Sequence, residues 1–167
     1  VTNPSSPASF RDMAPPDERH VLLIASTGGH LAQLLELKPW WQMYRRTWVT
    51  FDKADARSAL TNEEVVFAHH PTTRNAKNAV LNFFLAVRFL LRNRPSLVVS
   101  TGAGVALPFF IVARLFNVPT IYLEVFDRVD THTLSGLLCR PLASAFCVQW
   151  PSQQDLYPGS ECIGTLL

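Results

Sequence analysis

VLLIASTGGHLAQLLEL (residues 21–37) is the stretch that decides the fold. A short apolar run, Val21 to Ala25, meets a glycine pair, and a helical pattern follows at once from Leu31 to Leu37. Apolar run, glycine turn and helix together make the opening of a βα unit. Such a unit puts backbone N–H groups and a helix N-terminus at the carboxyl edge of a sheet, a place suited to an anionic group. His30, at the end of the turn, adds a side chain that accepts a proton near neutral pH. The same context returns in Ser100-Thr101-Gly102-Ala103-Gly104, which closes the apolar run Leu97-Val98-Val99.

Outward from these two turns, strand and helix patterns alternate. Arg46 to Phe51, Val65 to His69, Leu97 to Ser100, Thr120 to Leu123 and Ala145 to Val148 read as strands, and Cys162-Ile163 as a last short one. Gly29 to Lys38 reads as a helix stopped by Pro39. Asp52 to Thr61, Asn75 to Arg92, Val105 to Phe116 and Leu134 to Leu142 read as further helices. The strands are apolar on both faces, which predicts an α/β fold: a Rossmann-like parallel sheet with helices on both sides. Ligands of such sheets sit beyond the carboxyl ends of the strands. Ser26 to His30, Thr101 to Gly104 and Glu124 to Arg128 each follow a strand, so the three segments are expected to meet along one edge.

The chain has 167 residues, 48% hydrophobic and 17% charged, with a net charge of +2. Its length fits one domain with a substantial core. The weak charge gives no case for nucleic-acid binding. Three cysteines, Cys139, Cys147 and Cys162, show no metal-ligand spacing and read as buried thiols in a reducing compartment. Residues 1–19, rich in Pro, Ser, Ala and charge, lack the apolar centre of a signal peptide and read as a disordered lead-in. The folded domain is expected over 20–167. No apolar run reaches the ~18 residues that a membrane-spanning helix needs.

Neither glycine turn is a dinucleotide fingerprint or a phosphate loop, because G-x-G-x-x-G and Gly-Lys-Ser/Thr are both missing. Each also serves a plain structural purpose, the close packing of strand on helix. Glu124 leaves a buried strand and needs a partner. An ion pair with Arg128 supplies one; orienting a sugar hydroxyl or supporting His30 is the functional alternative. His69 and His70 point apart on an extended segment and do not chelate a metal. Arg74 to Arg94 carries five basic residues and no acidic one. Its cations, Arg74, Lys77, Arg88 and Arg92 among them, flank an apolar helix that includes Phe83 and Phe84. Such a helix suits an anionic lipid surface, and it also suits the core of the helical layer.

The motifs STGGHLAQLLEL (26–37), RPSLVVSTGAG (94–104), PTIYLEVFDRV (119–129), LSGLLCRPLASAFCVQW (134–150) and YPGSECIGTLL (157–167) together resemble a known family. This is the membrane-anchor subunit of the split UDP-N-acetylglucosamine transferase of lipid-linked oligosaccharide synthesis, and the bacterial capsule and exopolysaccharide branch within it. The resemblance implies the N-terminal, acceptor half of a GT-B glycosyltransferase, with the donor half on a separate polypeptide. It implies an acceptor that is a polyprenyl-diphosphate-linked saccharide. The residues themselves lead to an expectation of no cofactor and no metal. The family is also similar to the N-terminal domain of the peptidoglycan lipid-intermediate N-acetylglucosaminyltransferase, where a GGH turn and a second glycine turn face the acceptor diphosphate.

Carried over by motif, His30 is the candidate base and Glu124 a second catalytic candidate. Thr27, Gly28, Gly29, Gly102, Gly104 and Arg128 are the candidate substrate contacts. Arg74, Lys77, Phe83, Phe84, Arg88 and Arg92 are the candidate membrane contacts, on the cytoplasmic face of the membrane. Two departures stand out. The eukaryotic subunit usually begins with a transmembrane helix, whereas residues 1–19 are polar here. The second turn reads Gly-Ala-Gly where Gly-Pro-Gly is commoner. Two other functions remain open on the sequence: a non-catalytic scaffold that recruits and activates a transferase, and a free-standing nucleotide-binding module.

Overall fold

The computed structural model describes residues 18–166. Most of the expected lead-in, residues 1–17, lies outside the described residues, as does Leu167. The strands in chain order are β1 (His20–Ile24), β2 (Arg45–Phe51), β3 (Val65–Ala68), β4 (Leu97–Ser100), β5 (Thr120–Leu123), β6 (Ala145–Val148) and β7 (Glu161–Cys162). Between them run α1 (Gly29–Glu36), α2 (Lys38–Trp41), α3 (Ala54–Ala59), α4 (Ala76–Asn93), α5 (Ala106–Leu115), α6 (Leu134–Cys139) and α7 (Gln153–Leu156). All neighbouring strands pair in parallel, in the order β3-β2-β1-β4-β5-β6-β7.

The uninterrupted apolar run of β1 follows from this architecture. Successive side chains of a strand point to opposite faces, and each face is covered. Leu22 and Ile24 join Val49, Phe51, Val98, Phe109 and Phe110 in a core under α4 and α5. Val21, Leu23 and Ala25 join Leu31, Leu34, Trp41, Trp48 and Val99 in a second core under α1 to α3. Each fully buried Leu or Phe contributes roughly 1.5–3 kcal/mol.

Three readings of the sequence need correction. Pro39 does not close the first helix; it stands in the first turn of α2, where its missing N–H costs nothing. The segment 134–142 divides into α6 and a separate 3-10 turn, Arg140–Leu142. Of the three cysteines, Cys139 and Cys147 are buried but Cys162 is exposed, because β7 is a two-residue strand at the sheet edge. Burial, helped by the nearby Glu124, pushes the Cys139 thiol up to about 12.

Among the described residues no helix is long and apolar enough to cross a membrane.

Candidate functional site

The order of the strands brings the two glycine turns together. β1 pairs with β2 on one side and β4 on the other, so the chain reverses its direction of winding between β1 and β4. That reversal opens a crevice at the carboxyl ends of the two strands. Ser26 to His30 and Thr101 to Gly104 lie there side by side, and β5 brings Glu124 to the next position along the edge.

A reciprocal pair of hydrogen bonds joins the turns. The Thr101 hydroxyl donates to the His30 carbonyl at 2.7 Å, and His30 Nδ1 lies 2.7 Å from the Thr101 carbonyl. A carbonyl oxygen only accepts, so Nδ1 carries the proton. In the neutral ring, Nε2 then holds the lone pair. His30 is half-buried, at the mouth of the crevice. Thr101 is buried, and only its place in the motif hints at this part.

The glycines of the two turns have different reasons. Gly28 has φ +74° and ψ −138° at the entrance of α1, a conformation open to glycine. Its N–H donates to the Asp55 carboxylate of α3 at 2.9 Å. No side chain caps α1 and none in its first turn is acidic. The N–H groups of Gly29 and His30, at the start of α1, have no intrahelical acceptor. Thr27 is half-buried beside them. Gly102 has φ +102°, and a Cβ there would stand 2.5 Å from the Tyr122 hydroxyl. Gly104 admits the loop before α4: a Cβ would stand 3.0 Å from the Thr72 side chain.

Glu124 is 0% exposed, yet it forms no ion pair with Arg128. Three donors satisfy it instead. The Val125 N–H reaches Oε1 at 3.0 Å, while Thr133 Oγ1 and the Tyr157 hydroxyl reach Oε2 at 2.8 and 2.6 Å. Tyr157 in turn accepts from the Thr133 N–H at 3.0 Å. Burial first, and then the hydrogen bond to Glu124, pushes the Tyr157 phenol up to about 12. Gly136 of α6 packs directly on this cluster; a Cβ would lie 2.7 Å from the Tyr157 hydroxyl and 2.8 Å from Thr133 Oγ1. Glu124 therefore fastens both ends of the loop 125–133 to α6 and to the end of α7. Arg128, at the middle of that loop, is exposed, and its carbonyl accepts from Gln153 Nε2 at 3.1 Å.

A second buried network supports the same edge. Gln149 Nε2 donates to Gln33 Oε1 of α1 at 2.5 Å and to the Glu124 carbonyl at 3.0 Å. Gln153 Oε1 accepts from the Gln149 N–H at 2.9 Å, and its Nε2 donates to the Val125 carbonyl at 2.8 Å. Buried amides of this kind tie α1, the loop after β5 and the end of β6 into one unit.

The basic helix packs on one face only. Asn82, Ala86, Phe89 and Leu90 of α4 are buried, while Lys77, Val80, Leu81, Phe84, Arg88, Leu91 and Arg92 are exposed along the opposite face. Phe84 is 63% exposed and Phe83 half-buried. Nearby on α6, Leu134, Leu137 and Leu138 are exposed as well. Arg74 lies in the loop ahead of α4 with φ +51°. Asn82 anchors this loop, accepting from the His69 N–H at 2.8 Å and donating to the His69 carbonyl at 2.9 Å.

Between the first turns of α4, α5 and α6 lies a groove of about 630 Å³, and Gly104 and the 72–74 loop line it too. Among the described residues no group of three or more His, Cys, Asp or Glu side chains is placed to hold a metal.

Residues 67–166 match the family described as "Oligosaccharide biosynthesis protein Alg14 like". The chain is 26% identical over 187 residues to UDP-N-acetylglucosamine transferase subunit ALG14 of Mus musculus, covering 93% of this chain and 86% of the relative. It is 24% identical over 173 residues to the protein of the same name from Candida albicans, covering 90% and 79%. Among solved structures, MurG of Acinetobacter baumannii superposes with a TM-score of 0.72 at 20% identity, over 88% of this chain and 45% of MurG. A UDP-N-acetylglucosamine 2-epimerase from Rickettsia bellii gives 0.70 at 13% identity, over 89% and 45%. The chain thus spans under half the length of these solved structures, and the likeness is one of fold.

Proposed function

Since this chain belongs to the Alg14-like family of oligosaccharide biosynthesis proteins, we propose that it is the acceptor-binding subunit of a two-chain glycosyltransferase. Its relatives are named as subunits of a UDP-N-acetylglucosamine transferase. The observation that carries the reading is the His30–Thr101 pair, which joins the two glycine turns in the crevice and leaves Nε2 as a base. The acceptor is a polyprenyl-diphosphate-linked saccharide. The N–H groups of Gly29 and His30 take its diphosphate, with Thr27, Gly102, Gly104 and Arg128 around it. His30 Nε2 removes the proton of the attacking hydroxyl as that oxygen bonds to the anomeric carbon. The bond from that carbon to the nucleotide diphosphate breaks, and the leaving group departs with the electron pair. The partner chain holds the nucleotide sugar. Glu124, enclosed on all sides, is a positioning residue: it fixes the loop that carries Arg128.

The exposed face of α4 docks the subunit on an anionic leaflet at the cytoplasmic side of the membrane. Lys77, Arg88 and Arg92 alternate there with Val80, Phe84 and Leu91, an arrangement that joins charge attraction to shallow insertion. Each cation near such a surface contributes about 1 kcal/mol, which salt weakens. The reading extends this chemistry to bacterial capsule and exopolysaccharide assembly, supported by the resemblance of the sequence motifs.

One co-sedimentation experiment examines both parts. Anionic vesicles, with and without a polyprenyl-diphosphate-linked N-acetylglucosamine in the bilayer, are mixed with the chain. Binding is expected to rise when the acceptor is present, and Arg88→Glu with Arg92→Glu to remove most of the salt-sensitive part. Indifference to the acceptor would contradict the acceptor reading. Equal binding by the folded double variant would show that α4 does not face the lipid.

A further inference from the structure

We infer that the groove between α4, α5 and α6 holds the first isoprene units of the acceptor's hydrocarbon chain, next to the diphosphate. The inference rests on the acceptor reading above and names the part of the site that recognises the lipid. The groove has the polarity of a lipid diphosphate. Val80 and Phe83 of α4, Leu107 and Ile111 of α5, and Leu134 and Leu138 of α6 give it apolar walls. Its polar residues are Thr72, Thr73 and Arg74 of the loop before α4, together with Ser135.

The polar loop lies at the carboxyl edge of the sheet, where these helices begin. Gly104 belongs both to the groove and to the second glycine turn, and its lack of a side chain lets Thr72 close on that turn. A diphosphate on the glycine turns therefore has the Arg74 cation on one side and the start of an apolar channel on the other. At about 630 Å³ the groove falls within the ~300–1,000 Å³ of small-molecule sites.

A concave slot between three helices suits a single branched hydrocarbon chain better than the flat surface of a leaflet. The exposed apolar residues outside it, Phe84 and Leu137, serve the leaflet. The two roles are adjacent: a chain that leaves the groove past Val80 and Leu134 enters the bilayer where the face of α4 docks.

The test uses the full chain in detergent-free buffer, titrated with isopentenyl, geranyl, farnesyl and geranylgeranyl diphosphate. These share one head group and differ by five carbons each. Affinity is expected to rise at least tenfold from the five-carbon to the fifteen-carbon ligand and then to level off as the groove fills. Val80→Trp and, separately, Leu138→Trp fill the groove from positions that are 54% and 44% exposed, so both variants keep the core. Each is expected to remove the dependence on length while leaving isopentenyl diphosphate binding unchanged. Equal affinity at every length, or a length dependence that survives in both folded variants, would overturn the groove. Failure of all four ligands, with vesicle binding still raised by the lipid-linked acceptor, would overturn the groove and leave the acceptor reading standing. Failure of both would overturn the two together.

Discussion

Replacing His30 by alanine in the reconstituted two-chain transferase lowers kcat by about 10²–10⁴-fold, the usual worth of a positioned general base. The KM for the lipid acceptor changes by no more than a few-fold, because the glycine turns remain. Alanine is well tolerated in α1, which His30 enters at its second residue. The substitution also cuts the bond to the Thr101 carbonyl, so a second variant separates the two effects. His30→Asn retains an N–H donor for that carbonyl but offers no group that takes a proton at neutral pH. Both variants are expected to lose the same turnover. If asparagine restores it, the ring only holds the turns together. If alanine keeps it within threefold, the chain is a scaffold and the chemistry lies wholly in its partner.

Glu124→Leu destabilises the fold by roughly 3–5 kcal/mol. It strips the acceptor from three donors, the buried Val125 N–H and Tyr157 hydroxyl and the half-buried Thr133 hydroxyl, and each such group costs about 1–3 kcal/mol when left unpaired in the interior. Glu124→Gln keeps one acceptor oxygen and loses about 1–2 kcal/mol, since the hydroxyls turn to meet it. Arg128→Ala stays within about 0.5 kcal/mol of the wild type, as an exposed side chain with no ion pair should. Chemical denaturation of the three variants checks the order. A large loss from Arg128→Ala would restore the ion pair that the geometry denies. In the transferase, Glu124→Gln is expected to keep kcat within a few-fold, which a group reacting with substrate would not allow.

The frame of the molecule was legible because its signals are local. β4, β5 and β6 begin and end with LVVS, TIYL and AFCV, short apolar runs bounded by turn residues. The two glycine turns and the segment after β5 lie along one edge as the parallel sheet requires. α7 was missed, and it is one turn long with a buried glutamine in place of an apolar stripe. The partners of Glu124 were missed for a related reason. Thr133 and Tyr157 stand 9 and 33 residues further on, and a hydroxyl pointing at a carboxylate leaves no periodic trace. The same holds for Gln33, Gln149 and Gln153, whose burial contradicts their polarity until their mutual hydrogen bonds are seen. The basic helix was legible as two alternatives; packing shows one face in the core and leaves Phe84 and the cations Lys77, Arg88 and Arg92 exposed on the other.

Sugar transfer by the purified chain, measured alone and with the donor-binding partner proposed for it, tests the division of labour most directly. The chain spans under half of MurG, and on the proposed reading a partner supplies the donor side of the cleft. With UDP-N-acetylglucosamine and a polyprenyl-diphosphate-linked acceptor, the chain alone is expected to give no transfer above the uncatalysed background, and addition of the partner to start it. Turnover by the chain alone at the rate of the pair would contradict the assignment.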